Sequence, residues 1–472
     1  MTSRSHHRSH KKTIWTRLAW FEPFWLLFMA PSILLPGRFW EAWLQPYLVM
    51  ALFLFWPIRR LAYRQVSVAT PLNGWIAMLA AWLPITLWIS ILPEQSWVAV
   101  GYLGLGIAAF FALINWPTAR QRPYLLAWLL LAIGFGLSLL GPALMDISAG
   151  SRMFRIPQLD ARLGLLSAAL GEAVNPNVFA GALVLISPFG AALALEPRWT
   201  RQWIWPLGAG LLSLFALLSL VITQSRGAYV AVIIGLLVLV VLRWRRLVWA
   251  LPFVIIGVGV FAYRLGPAAI LDQLSSDTSL AGLSGRMEIW TRAGWAIQDF
   301  SLTGVGHGLF NPVVSTLYPF FVLPTDIPHA HNLLLQVGVD MGLVGVTAYL
   351  GLILTVFYIV GKTLRRAAQH RQQAEDRAQA ERHVLTWTLA AGVTAAMTSM
   401  LVHGLVDAVT WGTKLTFIPW LFYTLAALLY LGPRRRIRKR RRSRAERGID
   451  DSEMNALMIA DVHEVPMVET AE

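Results

Sequence analysis

The chain is organised around one stretch, His329-Ala-His-Asn-Leu-Leu-Leu-Gln-Val-Gly-Val-Asp-Met-Gly-Leu343. It closes the longest polar interval between apolar segments and opens the next apolar segment, so its polar groups lie where water meets lipid. A histidine there can carry a proton in either direction near neutral pH, which indicates chemistry at a membrane face. The alternative is that His331 and Asn332 only cap the following helix, since Asn is a favoured N-cap residue.

The composition places the chain among polytopic membrane proteins. Hydrophobic residues make up 56% of its 472 residues, charged residues make up 14%, and the mean hydropathy is +0.56. A water-soluble globular protein does not have this composition. The chain contains no cysteine, which excludes disulfides, cysteine-ligated zinc and a thiol nucleophile.

The apolar segments predict the fold class. A bilayer is crossed by ~20 residues of helix, and the sequence predicts an all-α, polytopic membrane protein with about twelve transmembrane helices and an outer-face loop subdomain. The predicted spans cover residues 15–36, 40–58, 72–92, 97–116, 123–145, 176–195, 203–222, 227–242, 247–263, 343–360, 385–409 and 415–431.

The distribution of charge predicts the orientation of these spans. If the N-terminus is cytoplasmic, most of the 40 Lys and Arg residues fall in cytoplasmic segments, as the positive-inside rule requires. Both termini are then cytoplasmic, and the net charge of +15 reflects topology. The basic run 434–442 suits anionic lipid headgroups rather than nucleic acid.

The predicted organisation has five parts. They are a basic cytoplasmic N-terminus (1–14), transmembrane helices 1–9 (15–264), an outer loop with an amphipathic helix (265–330), a short helix with transmembrane helices 10–12 (331–432), and a cytoplasmic tail, basic and then acidic, expected to be disordered (433–472).

The outer loop contains a stretch with helical periodicity. From 285 to 300, apolar residues recur at steps of three and four, which predicts an amphipathic helix at the interface. We expect its Trp290 and Trp295 face to pack toward the membrane or the bundle. The following Gly304-Val-Gly-His-Gly308 predicts a flexible turn, not a nucleotide-binding fingerprint. The apolar positions are Met287, Trp290, Ala293, Ala296, Ile297 and Phe300.

Arg226, Arg286 and His331 lie far apart in sequence, yet the charge count assigns all three to the outer membrane face. An arginine at this boundary can simply extend its charge to lipid headgroups, which is the alternative for Arg226.

Several short motifs together resemble the O-antigen ligase and polymerase superfamily. The most specific is His331-Asn332 followed by Gly342-Leu343, and the motifs span about 175 to 343. The others, in chain order, are Asn175-Pro-Asn177, Ser225-Arg226-Gly227, Ser284-Gly285-Arg286 and Gly304-Val-Gly306.

The resemblance implies a metal-independent glycosyltransferase of the bacterial plasma (inner) membrane. Such an enzyme moves a glycan from an undecaprenyl-pyrophosphate carrier to an acceptor hydroxyl on a glycan, lipid or protein. Carried over by motif, it implies His331 as the catalytic base and Arg226 and Arg286 on the pyrophosphate. His329 and Asn332 complete the expected substrate-binding set, although the family pattern does not fix the role of His329.

The chemistry of these residues agrees with that reaction. Displacing pyrophosphate develops negative charge, which two guanidinium groups can bind with fork geometry. A neutral imidazole can take the proton of the acceptor hydroxyl, and neighbouring arginines lower a histidine pKa. No cofactor is expected, and no repeated Asp, Glu or His cluster has metal-ligand spacing in the sequence.

Other polar residues have open interpretations. His403 and Asp407 share a helix face in the eleventh span and are interpreted as hydrogen-bonding groups that line the cavity. The sequence does not rank the acidic residues that could bind sugar hydroxyls or act as a second base, which are Glu172, Asp272, Asp277, Glu288 and Asp326.

Several functions stay open at this stage. A polysaccharide polymerase and a protein O-oligosaccharyltransferase share the ligase chemistry and differ in acceptor. A solute transporter, such as a bicarbonate transporter, would place its polar groups near the bilayer midplane and often show inverted repeats; here they gather at one face. A scaffold protein gives no reason for two arginines and a histidine to converge.

Overall fold

The computed structural model describes residues 14–145, 174–266, 283–321 and 327–432. Within these ranges the chain is helical apart from turns, short irregular segments and one isolated bridge between Met145 and Val174. The α-helices of five or more residues are α1 Ile14–Trp20, α2 Glu22–Leu34, α3 Gln45–Ala51, α4 Phe55–Tyr63, α5 Asn73–Trp88, α6 Pro93–Asn115, α7 Pro117–Gln121, α8 Tyr124–Leu144, α9 Pro176–Leu195, α10 Ile204–Thr223, α11 Arg226–Arg243, α12 Leu251–Leu265, α13 Leu283–Asp299, α14 Leu333–Gln372, α15 Arg377–Gly404 and α16 Phe417–Leu431.

The predicted class, an all-helical polytopic membrane protein, is confirmed. Seven described helices are long and apolar enough to cross a membrane, namely α6, α8, α9, α10, α11, α14 and α15, and α2 and α16 are shorter apolar helices. Each of the twelve predicted spans contains helix, but 15–36 and 40–58 each hold two short helices. Pro23 and Pro46 lie at the starts of α2 and α3, a position that suits proline because the first backbone N–H groups of a helix have no partner within it. The count of twelve spans stays a prediction.

Two helices form the centre of the bundle. In the most apolar 18 residues of α6 and of α9, 78% of the residues are buried within the protein. The corresponding fraction is 28% to 39% in α8, α10 and α11. The central α9 packs against α10 and α15, while α15 also packs against α11 and α14. The less buried helices leave apolar side chains such as Leu211 and Leu218 exposed, as a lipid-facing surface requires.

The helix that follows the histidine stretch is broken once, at Gly342. Its backbone there has φ +64° and ψ −165°, which no helix adopts, and a Cβ would lie 2.4 Å from the carbonyl oxygen of Leu302. Glycine alone fits this position because it has no side chain. Residues 333–341 therefore form a short helix, and the part from Leu343 to Gln372 continues for about 45 Å at ~1.5 Å per residue.

The described residues from α13 to Ala330 share a small apolar core with Val339 and Leu335 of α14. Ile289, Ala293 and Ala296 are fully buried in α13 and pack against residues of the following loop such as Phe310. They lie four and three residues apart, on one face of the helix.

The sequence-based assignment of that helix face needs a correction. Met287 and Phe300 are exposed, because the buried face is centred on Ile289, Ala293 and Ala296. Trp290 and Trp295 also separate: Trp290 donates a hydrogen bond to the carbonyl oxygen of His331, whereas Trp295 is 43% exposed. Two residues five positions apart in a helix point their side chains in clearly different directions.

We expect α13 and the end of α14 to lie on opposite sides of the membrane. Gln298 and Gln373 are both exposed, and the chain has no native cysteine, so Gln298→Cys and Gln373→Cys can each be labelled without background. An impermeant maleimide added to right-side-out vesicles should label only the first variant, and only inverted vesicles should expose the second. Labelling of both from one side would contradict the predicted topology.

Candidate functional site

The turn before α14 is held in an unusual backbone conformation. His331 has φ +46°, a left-handed geometry that costs a non-glycine residue about 1 to 3 kcal/mol. Three hydrogen bonds hold the turn: His331 N–H donates to His329 Nδ1 at 3.2 Å, Trp290 Nε1 donates to the His331 carbonyl oxygen at 3.3 Å, and Ala330 N–H donates to Gln336 Oε1 at 2.7 Å.

Asn332 is the N-cap of α14. Its Oδ1 accepts from the backbone N–H groups of Leu334 at 3.0 Å and Leu335 at 3.1 Å, which satisfies two donors that have no partner within the helix. Its Nδ2 donates to the Leu405 carbonyl oxygen at 3.1 Å. The capping interpretation is therefore confirmed for Asn332, whose amide is engaged within the protein, and its role in substrate binding stays a prediction.

A buried carboxylate faces both histidines. Asp407 Oδ1 lies 3.5 Å from His329 Nε2 and 3.7 Å from His331 Nδ1, and Asp407 is only 3% exposed. The expectation that His403 and Asp407 share a helix needs correction, since α15 ends at Gly404. Asp407 lies one turn beyond, although its N–H still donates to the His403 carbonyl oxygen at 2.9 Å.

Arg286 joins this cluster from α13. Its Nη1 donates to the carbonyl oxygen of Val406, next to Asp407, and its buried Nε has no hydrogen-bond partner among the described residues. The structure thus brings three of the predicted site residues, Arg286, His329 and His331, together with Asp407. From the sequence, Asp407 is interpreted only as a hydrogen-bonding group that lines the cavity.

Arg226 reaches the same part of the molecule through the start of α11. A Cβ at Gly227 would lie 2.6 Å from Val406 Cγ2 and 3.6 Å from His403 Cδ2, so this helix begins directly against the segment that carries Asp407. The Arg226 side chain is exposed, and Ser225 makes no side-chain cap.

The electrostatic balance keeps the imidazoles neutral. Burial, His329 and Arg286 together lower the pKa of His331 to about 3, against a weaker opposing effect of Asp407. Burial also lowers the pKa of His329. At Asp407, burial alone would raise the pKa, but the facing histidines and Arg286 hold it below its usual value. Arg286 thus lowers the pKa of His331 as expected from the sequence, but burial lowers it more.

The same cluster has the composition of a metal site. Ligand atoms of His329, His331 and Asp407 all lie within 4.8 Å of one another, an arrangement that the sequence spacing did not indicate. Because His329 Nδ1 accepts from a backbone N–H, the neutral ring carries its proton on Nε2, the atom that faces Asp407. In this tautomer the Nε2 proton faces the carboxylate at 3.5 Å and neither ring nitrogen has a lone pair free for a metal, so the arrangement favours a polar role for His329 over metal ligation.

Only one of the outer acidic residues from the sequence analysis can be assessed. Glu288 Oε1 accepts from Phe321 N–H at 2.7 Å and from Arg292 Nη2 at 3.4 Å, which gives this carboxylate a structural role beneath the loop. Arg292 in turn lies over the rings of Trp295 and Phe321. The remaining four lie outside the described residues, namely Glu172, Asp272, Asp277 and Asp326.

Comparison with known proteins identifies a family for part of the chain. Residues 211–350 match the family model described as O-Antigen ligase. The matched segment contains Arg226, Arg286, His329, His331 and Asn332, whereas Asp407 lies beyond it. A search of curated proteins found no match.

The lowered pKa of His331 makes a prediction about stability. Between its folded value of about 3 and its ordinary value of 6.5, the unfolded chain binds a proton that the folded protein excludes. This residue's contribution therefore declines as pH falls below about 6.5, by at most ~1.4 kcal/mol per pH unit. We expect the apparent melting temperature in detergent to fall between pH 7 and pH 5, and to fall less steeply for His331→Gln. Equal slopes for the two proteins would contradict this assignment.

Proposed function

We propose that this multi-pass membrane protein, whose residues 211–350 match the O-antigen ligase family, moves a glycan from an undecaprenyl-pyrophosphate carrier to an acceptor hydroxyl. The observation that carries the proposal is the buried cluster of Arg286, His331 and Asp407 immediately before α14. It combines a neutral imidazole, a carboxylate and a guanidinium within one site.

His331 is the general base of the proposed reaction. Asp407 faces Nδ1 at 3.7 Å, and a carboxylate in this position favours the tautomer with the proton on Nδ1. Nε2 then carries the free lone pair, and it has no hydrogen-bond partner among the described residues. As the acceptor oxygen attacks the anomeric carbon, its proton passes to Nε2, and Asp407 stabilises the imidazolium that forms.

The arginines stabilise the leaving group. When the bond between the anomeric carbon and the phosphate oxygen breaks, the electron pair leaves with the lipid pyrophosphate. Arg286 has an unpartnered buried Nε, and Arg226 is exposed at the first turn of α11, where backbone N–H groups are also oriented toward an anion. Charge-assisted and bidentate hydrogen bonds of this kind can stabilise the departing phosphate.

His329 has a supporting role in this mechanism. Its Nδ1 holds the His331 N–H and its Nε2 faces Asp407 at 3.5 Å, so it supports both the left-handed turn and the carboxylate. We place the reaction on the outer face of the bacterial plasma membrane, with both termini cytoplasmic. The acceptor determines whether the enzyme is a ligase, a polymerase or a protein O-oligosaccharyltransferase, and all three use the same chemistry.

Reconstitution with a lipid-pyrophosphate glycan and a panel of glycan, lipid and protein acceptors tests the proposal. We expect His331→Ala to lower turnover by ~10²- to 10⁴-fold, as for a lost general base, with little change in donor affinity. Arg226→Lys keeps the charge but loses the fork geometry, and should weaken both donor binding and turnover. Glycan transfer and donor binding by each variant are measured in the same vesicles.

Leu211→Ala is a suitable control for these variants, because Leu211 is 57% exposed on α10 and away from the cluster. Near-normal turnover by His331→Ala, or full loss by His329→Ala alone, would show that the base is misassigned. Solute uptake that depends on Arg226 and His331 without any glycan transfer would instead support a transporter.

We also expect transfer to survive exhaustive chelation, because two guanidinium groups supply the charge stabilisation that a divalent ion provides in other glycosyl and phosphoryl transfers. Activity is measured after dialysis against EDTA and again after addition of Mg²⁺ or Mn²⁺. Loss of transfer on chelation with recovery on adding either ion would refute the two-arginine mechanism.

A further inference from the structure

The loop Gly304-Val-Gly-His-Gly308 is largely buried between neighbouring segments, and is not the flexible turn that its composition predicts. Residues 304–307 are buried. Val305 N–H donates to the Val339 carbonyl oxygen at 2.8 Å, and Gln95 Nε2 donates to the Gly308 carbonyl oxygen at 3.1 Å. A Cβ at Gly304 would lie 2.5 Å from that same Val339 oxygen, so the backbone of the loop packs directly on the short helix that carries the histidine turn.

Beneath this loop lies a carboxylate that the proposed reaction does not use. Asp340 is 1% exposed, and its Oδ1 accepts from Gly308 N–H at 3.2 Å and from Gln336 Nε2 at 3.0 Å. Its Oδ2 accepts from Trp411 Nε1 at 2.9 Å and lies 3.1 Å from His307 Nδ1. Four polar groups from three places in the chain therefore surround one buried side chain.

Three of these groups belong to, or are bonded to, segments that carry part of the site. Gln336 uses its other side-chain atom, Oε1, to hold Ala330 N–H at 2.7 Å, and Ala330 lies between the two histidines of the turn. Trp411 lies four residues beyond Asp407. Gly308 follows α13, the helix that carries Arg286.

Aromatic rings pack around Asp340. The His307 ring packs edge-on against Trp411 at 5.4 Å, and Trp411 packs against Tyr349 of α14 at 5.2 Å. Neither His307 nitrogen meets hydrogen-bond geometry with a described residue, although Nδ1 lies in ion-pair range of Asp340. The three groups that donate to Asp340, from Gly308, Gln336 and Trp411, have few alternative partners, because a buried donor left without an acceptor costs free energy.

We propose that Asp340 is a positioning residue that fixes the His331 turn relative to Asp407. The inference rests on the proposed function, since it assigns no contact with substrate to Asp340. The carboxylate acts through two routes: Gln336 to the backbone of the histidine turn, and Trp411 to the segment of Asp407. Loss of either route leaves the base and its carboxylate free to shift apart.

The test uses three variants of graded severity in the full-length protein. Asp340→Asn replaces one acceptor oxygen by an NH₂ group that must face donors. Trp411→Phe removes the indole N–H and one of its two rings but keeps an aromatic ring at this position, and Gln336→Leu removes the bonds to Asp340 and Ala330. We expect kcat to fall ~10- to 10²-fold for Asp340→Asn, the size of effect that a displacement of about 1 Å produces, and less for the other two.

The readout must separate positioning from general loss of structure. A displaced base should lower kcat and move the acid limb of the kcat–pH profile, because both the burial of His331 and its distance from Asp407 contribute to its pKa. The KM for the lipid-linked donor should stay within about twofold. Ser213→Ala is the matched control: Ser213 Oγ donates a buried hydrogen bond to the Ser187 carbonyl oxygen at 2.7 Å, between two membrane helices, and its loss should leave kcat and the pH profile unchanged.

His331→Ala, measured in parallel, distinguishes failure of the positioning role of Asp340 from failure of the proposed reaction. If His331→Ala loses turnover while Trp411→Phe and Gln336→Leu keep the wild-type kcat and pH profile, the positioning role is refuted and the proposed reaction stands. If His331→Ala retains turnover, the proposed reaction itself fails. Equal losses in kcat and donor affinity across the Asp340 network would also overturn the inference, and if Asp340→Asn does not fold, the two milder variants decide.

Discussion

Two backbone hydrogen bonds on either side of Gly342 connect the segment that follows α13 to α14. Val305 N–H donates to the Val339 carbonyl oxygen, and Leu343 N–H donates to the Ser301 carbonyl oxygen, both at 2.8 Å. A straight helix would use these groups internally, so only the break at Gly342 makes them available to the loop. The position of α13 and of Arg286 therefore depends on a glycine that follows the helix by more than forty residues in sequence.

The same break decides where the polar site lies. Because the first part of α14 is a separate short helix, its N-terminus and the histidine turn can face the loop and the end of α15 at once. Asn332 links these parts, since its Oδ1 caps α14 and its Nδ2 holds Leu405. A single side chain thus serves the local helix and the long-range contact with the segment of Asp407.

Burial then gives the cluster its chemical character. An isolated carboxylate as buried as Asp407 would be strongly destabilised, but His329, His331 and Arg286 face it and lower its pKa. The histidines lose the charge that they would carry at mildly acidic pH, and burial is again the main cause. One arrangement of buried groups therefore gives a neutral base, a charged carboxylate and a fixed guanidinium. A change in how deeply the His331 turn is buried would alter all three.

The sequence by itself determined the class of the protein and the positions of its apolar segments, and it predicted that Arg226, Arg286 and His331 lie near one membrane boundary. These follow from composition and local patterning, because a lipid environment requires long apolar helices with satisfied backbones. The cap at Asn332 was also readable, since a capping bond forms within three residues. In α13 the period was readable but the centre of the buried face was not, because Ile289 is selected by the loop that packs on it.

Only the tertiary structure decided which polar groups meet. All of α14 and all of α15 lie between His331 and Asp407, and nothing in local spacing pairs these two residues. The loop 304–308 has the composition of a turn, yet it is buried because Asp340, Gln95 and Val339 supply partners for its backbone. Hydrogen-bond partners and solvent exclusion are properties of the packed chain, and so the base, its carboxylate and the network beneath them become visible only when the helices are assembled.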